Sequence, residues 1–235
     1  MRFWILHFLV LIIFSPLFSQ FNEIQTTKIG IEDLPFGIKV KGKIVEIFRW
    51  DDKNGTNYFI SSAIGPHRKR FEDHEDEVSK QIFAEQYVIK NDSLEILWNF
   101  DLKLTCQMNL ELLIIPNSVC ITDLDKNGVT ETTFVYKTAN RSDVSPADIE
   151  LIMHENKNIF SLKGKTFIRC SEHLMDIDFN DYELSLENIT DTLKPPYLLT
   201  KEYGRYINDD DFANSPNIFL QFAIHIWKKH IEEKC

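Results

Sequence analysis

Apolar and polar residues alternate along most of the chain, in short runs separated by turn residues. Residues 39–50 (KVKGKIVEIFRW) and 56–63 (TNYFISSA) flank the turn DDKNG, while 81–90 (QIFAEQYVIK) and LEILWNFDL flank Asn91-Asp92. Further on, SVCIT and TTFVYK flank DLDKNGVTE, and DIELIMHE and IFSLKG flank Asn156-Lys157-Asn158. Period-two runs rich in β-branched and aromatic residues, bounded by Asn, Asp and Gly, predict strands joined as hairpins. The layout of hairpin, connection, hairpin occurs twice, a faint repeat of roughly 75 residues. Even the tetrapeptide Asp-Lys-Asn-Gly recurs, at Asp52–Gly55 and Asp125–Gly128.

The tail follows a different period. Phe219, Phe222, Ala223, Ile226 and Trp227 recur at three- and four-residue spacings, which predicts one apolar face of a helix over 215–233. Ser215 is expected to cap it and Pro216 to open its first turn. Lys228, Lys229 and His230 suit the C-terminal end of its dipole. Such a face docks on a partner or a membrane, or covers an open sheet, and the sheets predicted upstream favour the last. The expected fold is therefore mainly β. Antiparallel meanders form two blade-like four-stranded units, arranged as a sandwich or a partial propeller, with a C-terminal α-helix packed on them. Two blades cannot close a propeller, so packed sheets are the more economical arrangement.

The N-terminus reads MRFWILHFLVLIIFSPLFSQ: Arg2, an apolar run of about a dozen residues, then Pro16 and the small Ser19. This predicts a signal peptide over 1–19, a β domain over 20–170 and a mixed segment over 171–235. His7 and Pro16 interrupt the run, which falls short of the ~20 apolar residues of a transmembrane span. An exported product is expected, in the periplasm, at the cell surface or secreted. The formal net charge is −10 without a long basic stripe, which argues against nucleic acid and anionic lipid as partners. His67 to Arg70 run straight into the acidic block Glu72 to Glu77, and the two blocks are expected to compensate each other in an exposed loop.

Cys106, Cys120, Cys170 and Cys235 allow three disulfide connectivities. A strand reversal expected at Pro116-Asn117 makes Cys106 and Cys120 the best pair. Sequons stand at Asn54, Asn91, Asn140 and Asn188 and matter in a host that glycosylates them.

The run DLDKNGVTE carries the clearest chemistry. It places Asp123, Asp125 and Asn127 at alternate positions, then Gly128, then Glu131. Hard cations such as Ca²⁺ take six to eight oxygens at ~2.3–2.6 Å, and a tight loop gathers these from alternate side chains and a backbone carbonyl. Gly128 allows the sharp reversal that brings them round one centre. The loop is not an EF-hand: its twelfth position is Phe134, and strand material flanks it on both sides. The competing reading is an ordinary hairpin turn, which prefers the same residue types.

Catalytic motifs are sparse. Arg141, Ser142 and Asp143 lack a G-x-S-x-G elbow and an assigned base. Asp143 before Val-Ser-Pro suits a turn, and Arg141 is expected to bridge to an acidic loop such as the ion loop. The histidines show no zinc spacing, and no phosphate-cradling glycine loop occurs. Carboxylate pairs such as Asp176 and Asp178, or those in Asp209-Asp210-Asp211, are what a glycosidase would set across a cleft ~5–10 Å apart. Trp50, Tyr58 and Trp98 would stack on sugar rings if exposed; core packing is the expectation for Trp50 and Trp98.

The pattern D-x-D-x-[DN]-G-x-x-[DE] resembles the calcium hairpins of FG-GAP and integrin-type repeats. By that resemblance the Val129 carbonyl joins Asp123, Asp125, Asn127 and Glu131 as a ligand of one structural Ca²⁺. The run TDLDKNGVTETTFVYK, then RSDVSP, then a strand ending in SLKG, resembles a family of exported Gram-negative envelope proteins named for surface-polysaccharide biosynthesis. That likeness is densest from Ile121 to Gly164. The family pairs a cysteine before the loop with one directly before the Arg of the R-x-D-V-S-P run. Asn140 stands at that second place here, and Cys106–Cys120 is the substitute. The resemblance implies a non-catalytic envelope protein that supports lipopolysaccharide or capsule biosynthesis or display, in contact with an envelope protein or glycan. The alternative is a secreted glycan-cleaving or glycan-modifying enzyme that uses paired carboxylates.

Overall fold

The computed structural model describes residues 21–70, 76–107, 109–169, 178–189 and 201–234. The expected signal peptide, Cys170, Cys235, Asp176 and the acidic residues 72–75 lie outside these. Strands β1 (Thr27–Lys28), β2 (Lys43–Asp52), β3 (Gly55–Lys69), β4 (Glu77–Lys90) and β5 (Ser93–Cys106) form one antiparallel sheet in chain order. The second sheet holds β6 (Leu110–Ile114), β7 (Cys120–Thr122), β8 (Glu131–Asn140), β9 (Asp148–Glu155) and β10 (Asn158–Lys165). Its order is β10-β9-β8-β6, and β7 also pairs with β8. The two expected meanders are thus the two sheets of a sandwich, not blades of a propeller.

Alternation decides what each face meets. On β8, Phe134 and Tyr136 point to the first sheet and pack with Trp50, Phe59, Ile82, Trp98, Ile121 and Ile152. Val135, on the opposite face, packs with Leu151, Met153 and Leu162 against the helix α1 (Asn217–His230). Phe219, Phe222, Ala223, Ile226 and Trp227 are the buried residues of α1, as their spacing predicts. Each large apolar side chain removed from water contributes roughly 1.5–3 kcal/mol, so sheet coverage is the work of this face. A third cluster, Ile47, Tyr58, Ile60 and Tyr87, lies under the N-terminal segment through Ile29, Leu34, Ile38 and Val40. Trp50, Tyr58 and Trp98 are all buried, which removes them as sugar-stacking platforms. No helix among the described residues is long and apolar enough to cross a membrane.

Five local expectations need correction. Pro116-Asn117 is not a strand reversal. Ile114 faces Tyr136 and Cys120 faces Thr133, so β6 and β7 run in line along the same partner strand. The ladder gap is closed by Ser118, whose buried hydroxyl donates to the Val135 carbonyl (3.2 Å) and accepts from the Val135 N–H (3.1 Å). The Cys106–Cys120 bridge fails for the same reason. Cys106 pairs with Val78 in the first sheet, whereas Cys120 lies in the second opposite Thr133, and no disulfide joins them. A disulfide needs Cα atoms within ~7 Å.

Ser215 does not cap α1 with its side chain. Its hydroxyl donates back to the Phe212 carbonyl (2.9 Å), and Pro216 takes the cap position. The helix also ends before 233, because β12 (Glu232–Lys234) pairs in parallel with β11 (Phe167–Arg169). Arg141 does not reach the ion loop. It pairs with Glu233 at 2.5 Å, and Glu233 also accepts from the Thr166 hydroxyl. Arg141 thereby fastens β12 to the body and serves structure.

A candidate metal centre at the closed end of the sandwich

The 123–131 loop joins β7 to β8, and the ladder sets its width. Thr122 faces Glu131, and Glu131 in turn faces Glu155 on β9. Gly128 (φ 85°) makes the reversal that its sequence position suggests. Asp123 accepts from the Gly128 N–H at 3.2 Å, and Asp125 Oδ1 accepts from the Asn127 N–H at 3.0 Å. These bonds turn the acidic side chains inward. Ligand oxygens of Asp123, Asp125 and Glu131 all lie within 4.8 Å of one another.

Glu131 is the distinctive member. It is 0% exposed, and its Oε2 accepts from the Thr122 hydroxyl (2.8 Å) and the Leu124 N–H (2.9 Å). Its Oε1 is buried with no hydrogen-bond partner. Burial pushes this carboxyl up to about 7, against the two bonds that hold it down, with Asp125 and Glu155 adding repulsion. A buried carboxylate oxygen without a donor is costly. Protonation relieves it, and so would coordination by a cation, for which the donor set is all hard oxygen.

Asn127 and Val129 are in the loop but engaged with each other: Asn127 Oδ1 accepts from the Val129 N–H at 2.7 Å. The Asn127 amide nitrogen donates to Asp125 Oδ2 (3.0 Å) and to Glu155 Oε1 (2.7 Å). Glu155 therefore belongs to the site, although it lies far along the sequence and outside the motif. Its signal was its place at the end of the β9 run, directly before a turn.

The first sheet closes over this loop. The Asp52–Gly55 turn, expected to be a plain hairpin turn, docks on its sequence twin. Asp52 Oδ2 accepts from the Thr130 N–H (3.1 Å) and hydroxyl (2.7 Å), and Trp50 Nε1 donates to the same hydroxyl oxygen at 2.8 Å. The Lys53 N–H donates to the Gly128 carbonyl at 2.8 Å, and its ammonium donates to the Asn127 carbonyl. Asn54 donates to Asn156 Oδ1 at 2.7 Å. Three turns from both sheets thus meet at one junction.

The opposite end is open. β3, β4 and β5 are longer than β8 to β10, so the first sheet overhangs the second. A cleft of about 380 Å³ forms between Leu102 and Leu104 on one side and Tyr136, Asp148 and Glu150 on the other. Asp148 and Glu150 share one face of β9, about 7 Å apart along the strand. Lys165 pairs with Asp148 at 2.7 Å and Lys163 with Glu150 at 3.2 Å, and Glu150 also accepts from the Tyr136 hydroxyl. Asp209 to Asp211 form a turn elsewhere, where Asp211 accepts from Ser161 at 2.6 Å.

The chain matches no protein-family model, no curated protein and no solved structure. The reading of its function therefore rests on the site itself and on the sequence pattern.

Proposed function

We propose that the 123–131 loop binds one Ca²⁺ as a structural ion. We further propose that the protein is an exported, non-catalytic envelope component supporting surface-polysaccharide biosynthesis or display. The observation that carries the ion is Glu131 Oε1, a fully buried carboxylate oxygen with no donor, beside the inward-turned Asp123 and Asp125. Asn127 and the Val129 carbonyl complete the expected ligand set. The envelope role draws on the family likeness of Ile121–Gly164 and on the signal-like N-terminus, and its partner is an envelope protein or a glycan.

The enzymatic alternative has one observation in its favour, the Asp148–Glu150 pair of carboxylates that lines the cleft. It ranks second because both carboxylates stand on the same wall, each held by a lysine, instead of flanking a bond from two sides.

Calcium titration tests the ion. Thermal stability should rise between chelator and millimolar calcium, the range typical of extracellular modules, and Asp125→Ala should abolish the rise. An unchanged melting temperature would refute it. Surface-glycan profiling of a deletion strain tests the pathway: unaltered glycan removes the polysaccharide role. Cleavage of a surface polysaccharide by the purified protein, lost in Glu150→Gln, would install the enzymatic reading.

A further inference from the structure

Lys53 reaches the metal loop from the opposite sheet. Its N–H is fixed to the Gly128 carbonyl and its ammonium to the Asn127 carbonyl. Its methylenes cross Gly128 so closely that a Cβ there would meet Lys53 Cδ at 3.2 Å. The loop it covers gathers Asp123, Asp125 and Glu131 within 4.8 Å, with Glu155 tied in through Asn127. The Glu131 oxygen in that cluster has no donor.

We propose that Lys53 is the resident counter-ion of this site, balancing its carboxylates when no divalent ion is bound and opposing the ion when one binds. The inference rests on the calcium reading above. Packed carboxylates repel one another and loosen a loop, and a tethered ammonium limits that repulsion. The same charge, held on the Asn127 carbonyl and not paired directly with a carboxylate, then repels a bound divalent cation across the loop and weakens its binding, on the order of threefold to tenfold at low ionic strength. Lys53 thereby sets affinity in the weak range while keeping the junction between the sheets formed in both states. The backbone bond to Gly128, independent of the side chain, fixes where the charge sits.

The test uses Lys53→Met, which keeps the stem over Gly128 and removes the charge, and Lys53→Arg, which keeps the charge. Calorimetric titration with calcium chloride at low salt should show the Met variant binding roughly threefold to tenfold tighter, a gain that shrinks at ~0.5 M potassium chloride. Its melting temperature should fall in chelator and recover in saturating calcium, and the Arg variant should resemble the wild type. A Met variant whose affinity is unchanged or weaker overturns the inference, as does an equal loss of stability with and without calcium. A wild-type protein that takes up no calcium overturns the calcium reading and this inference together. A wild-type protein that binds, with an unaltered Met variant, overturns the counter-ion role alone.

Discussion

At one end of the sandwich, β2 and β3 turn back at Asp52–Gly55 and lock onto the 123–131 loop. At the other, β3, β4 and β5 run on past the second sheet and leave a cleft. The same two sheets build both ends, and what differs is how each handles charge. The closed end gathers carboxylates around one fully buried member, Glu131, and satisfies most of them with N–H and O–H donors from three turns. The open end leaves Asp148 and Glu150 on a strand face and neutralises them with lysines directly across the ladder. The first leaves one buried oxygen, Glu131 Oε1, without a donor. The second pairs each carboxylate with a lysine, which is why a metal is proposed at one end and not at the other.

The largest expected effect tests whether the closed end holds the sheets together. Trp98 donates to Gln86 at 2.8 Å, stacks on His154 at 4.0 Å and packs against Phe134. Trp98→Ala should destabilise by roughly 3–5 kcal/mol in denaturant unfolding. Leu104→Ala at the cleft rim should cost far less, since Leu104 is only partly buried; equal losses would erase the contrast between the ends.

Next in size is acid. Burial lowers His154 to about 4, below its ordinary value near 6.5. Its neutral form is the folded form, so the stability it contributes is present above pH 6.5 and is lost as pH falls through about 4. The full loss is on the order of 3 kcal/mol. The difference between wild-type and His154→Phe melting curves from pH 7 to 4 should show it, since the other titrating groups are common to both.

Calcium comes third. At tenfold excess over its dissociation constant, a bound ion adds about 1.4 kcal/mol. Glu131 runs opposite to His154: its raised value means that the calcium-free protein loses stability as pH rises from about 4.5 through 7. Calcium must displace that proton, so its affinity should fall as pH drops below about 7, in titrations at pH 5.5 and 7.5. Glu131→Gln should abolish the calcium response while stabilising the protein in chelator, because it removes a buried charge. Smallest is the Lys165–Asp148 pair at the open end, where a double-mutant cycle should give ~0.2–1 kcal/mol, as exposed pairs do.

Much of this was legible in the sequence, for physical reasons that differ by element. The hairpins were readable because one face of each strand is buried, which forces alternation. The helix face was readable because five apolar residues fall on one stripe. The gathering of Asp123, Asp125 and Glu131 was readable because alternate acidic residues on a tight glycine turn bring their oxygens together. β6 escaped notice because LELLII reads as an apolar run, although Leu110, Leu112 and Ile114 keep the period of two. Glu155 and Lys53 are joined to the loop only by register and by the docking of one turn on another, and local spacing cannot encode that. The repeated Asp-Lys-Asn-Gly did mark both halves of the junction, but identical turn chemistry gives no reason by itself for two turns to touch.

The in-line arrangement of β6 and β7 along β8 bears on how this chain can vary in length. Residues 116–119 leave the ladder opposite only Phe134 and Val135; the Ile115 N–H still donates to the Val135 carbonyl (2.8 Å), and the Ser118 hydroxyl takes the Val135 N–H. Extra residues inserted at Pro116-Asn117 would lengthen a corner that is already outside the ladder, leaving the pairing on either side intact. A single residue inserted within β8 would send Phe134 and Tyr136 toward the helix and Val135 toward the first sheet, since one step of register exchanges the faces. Length changes among descendants of this sequence should therefore collect at Pro116-Asn117 and spare the ten residues from Glu131 to Asn140.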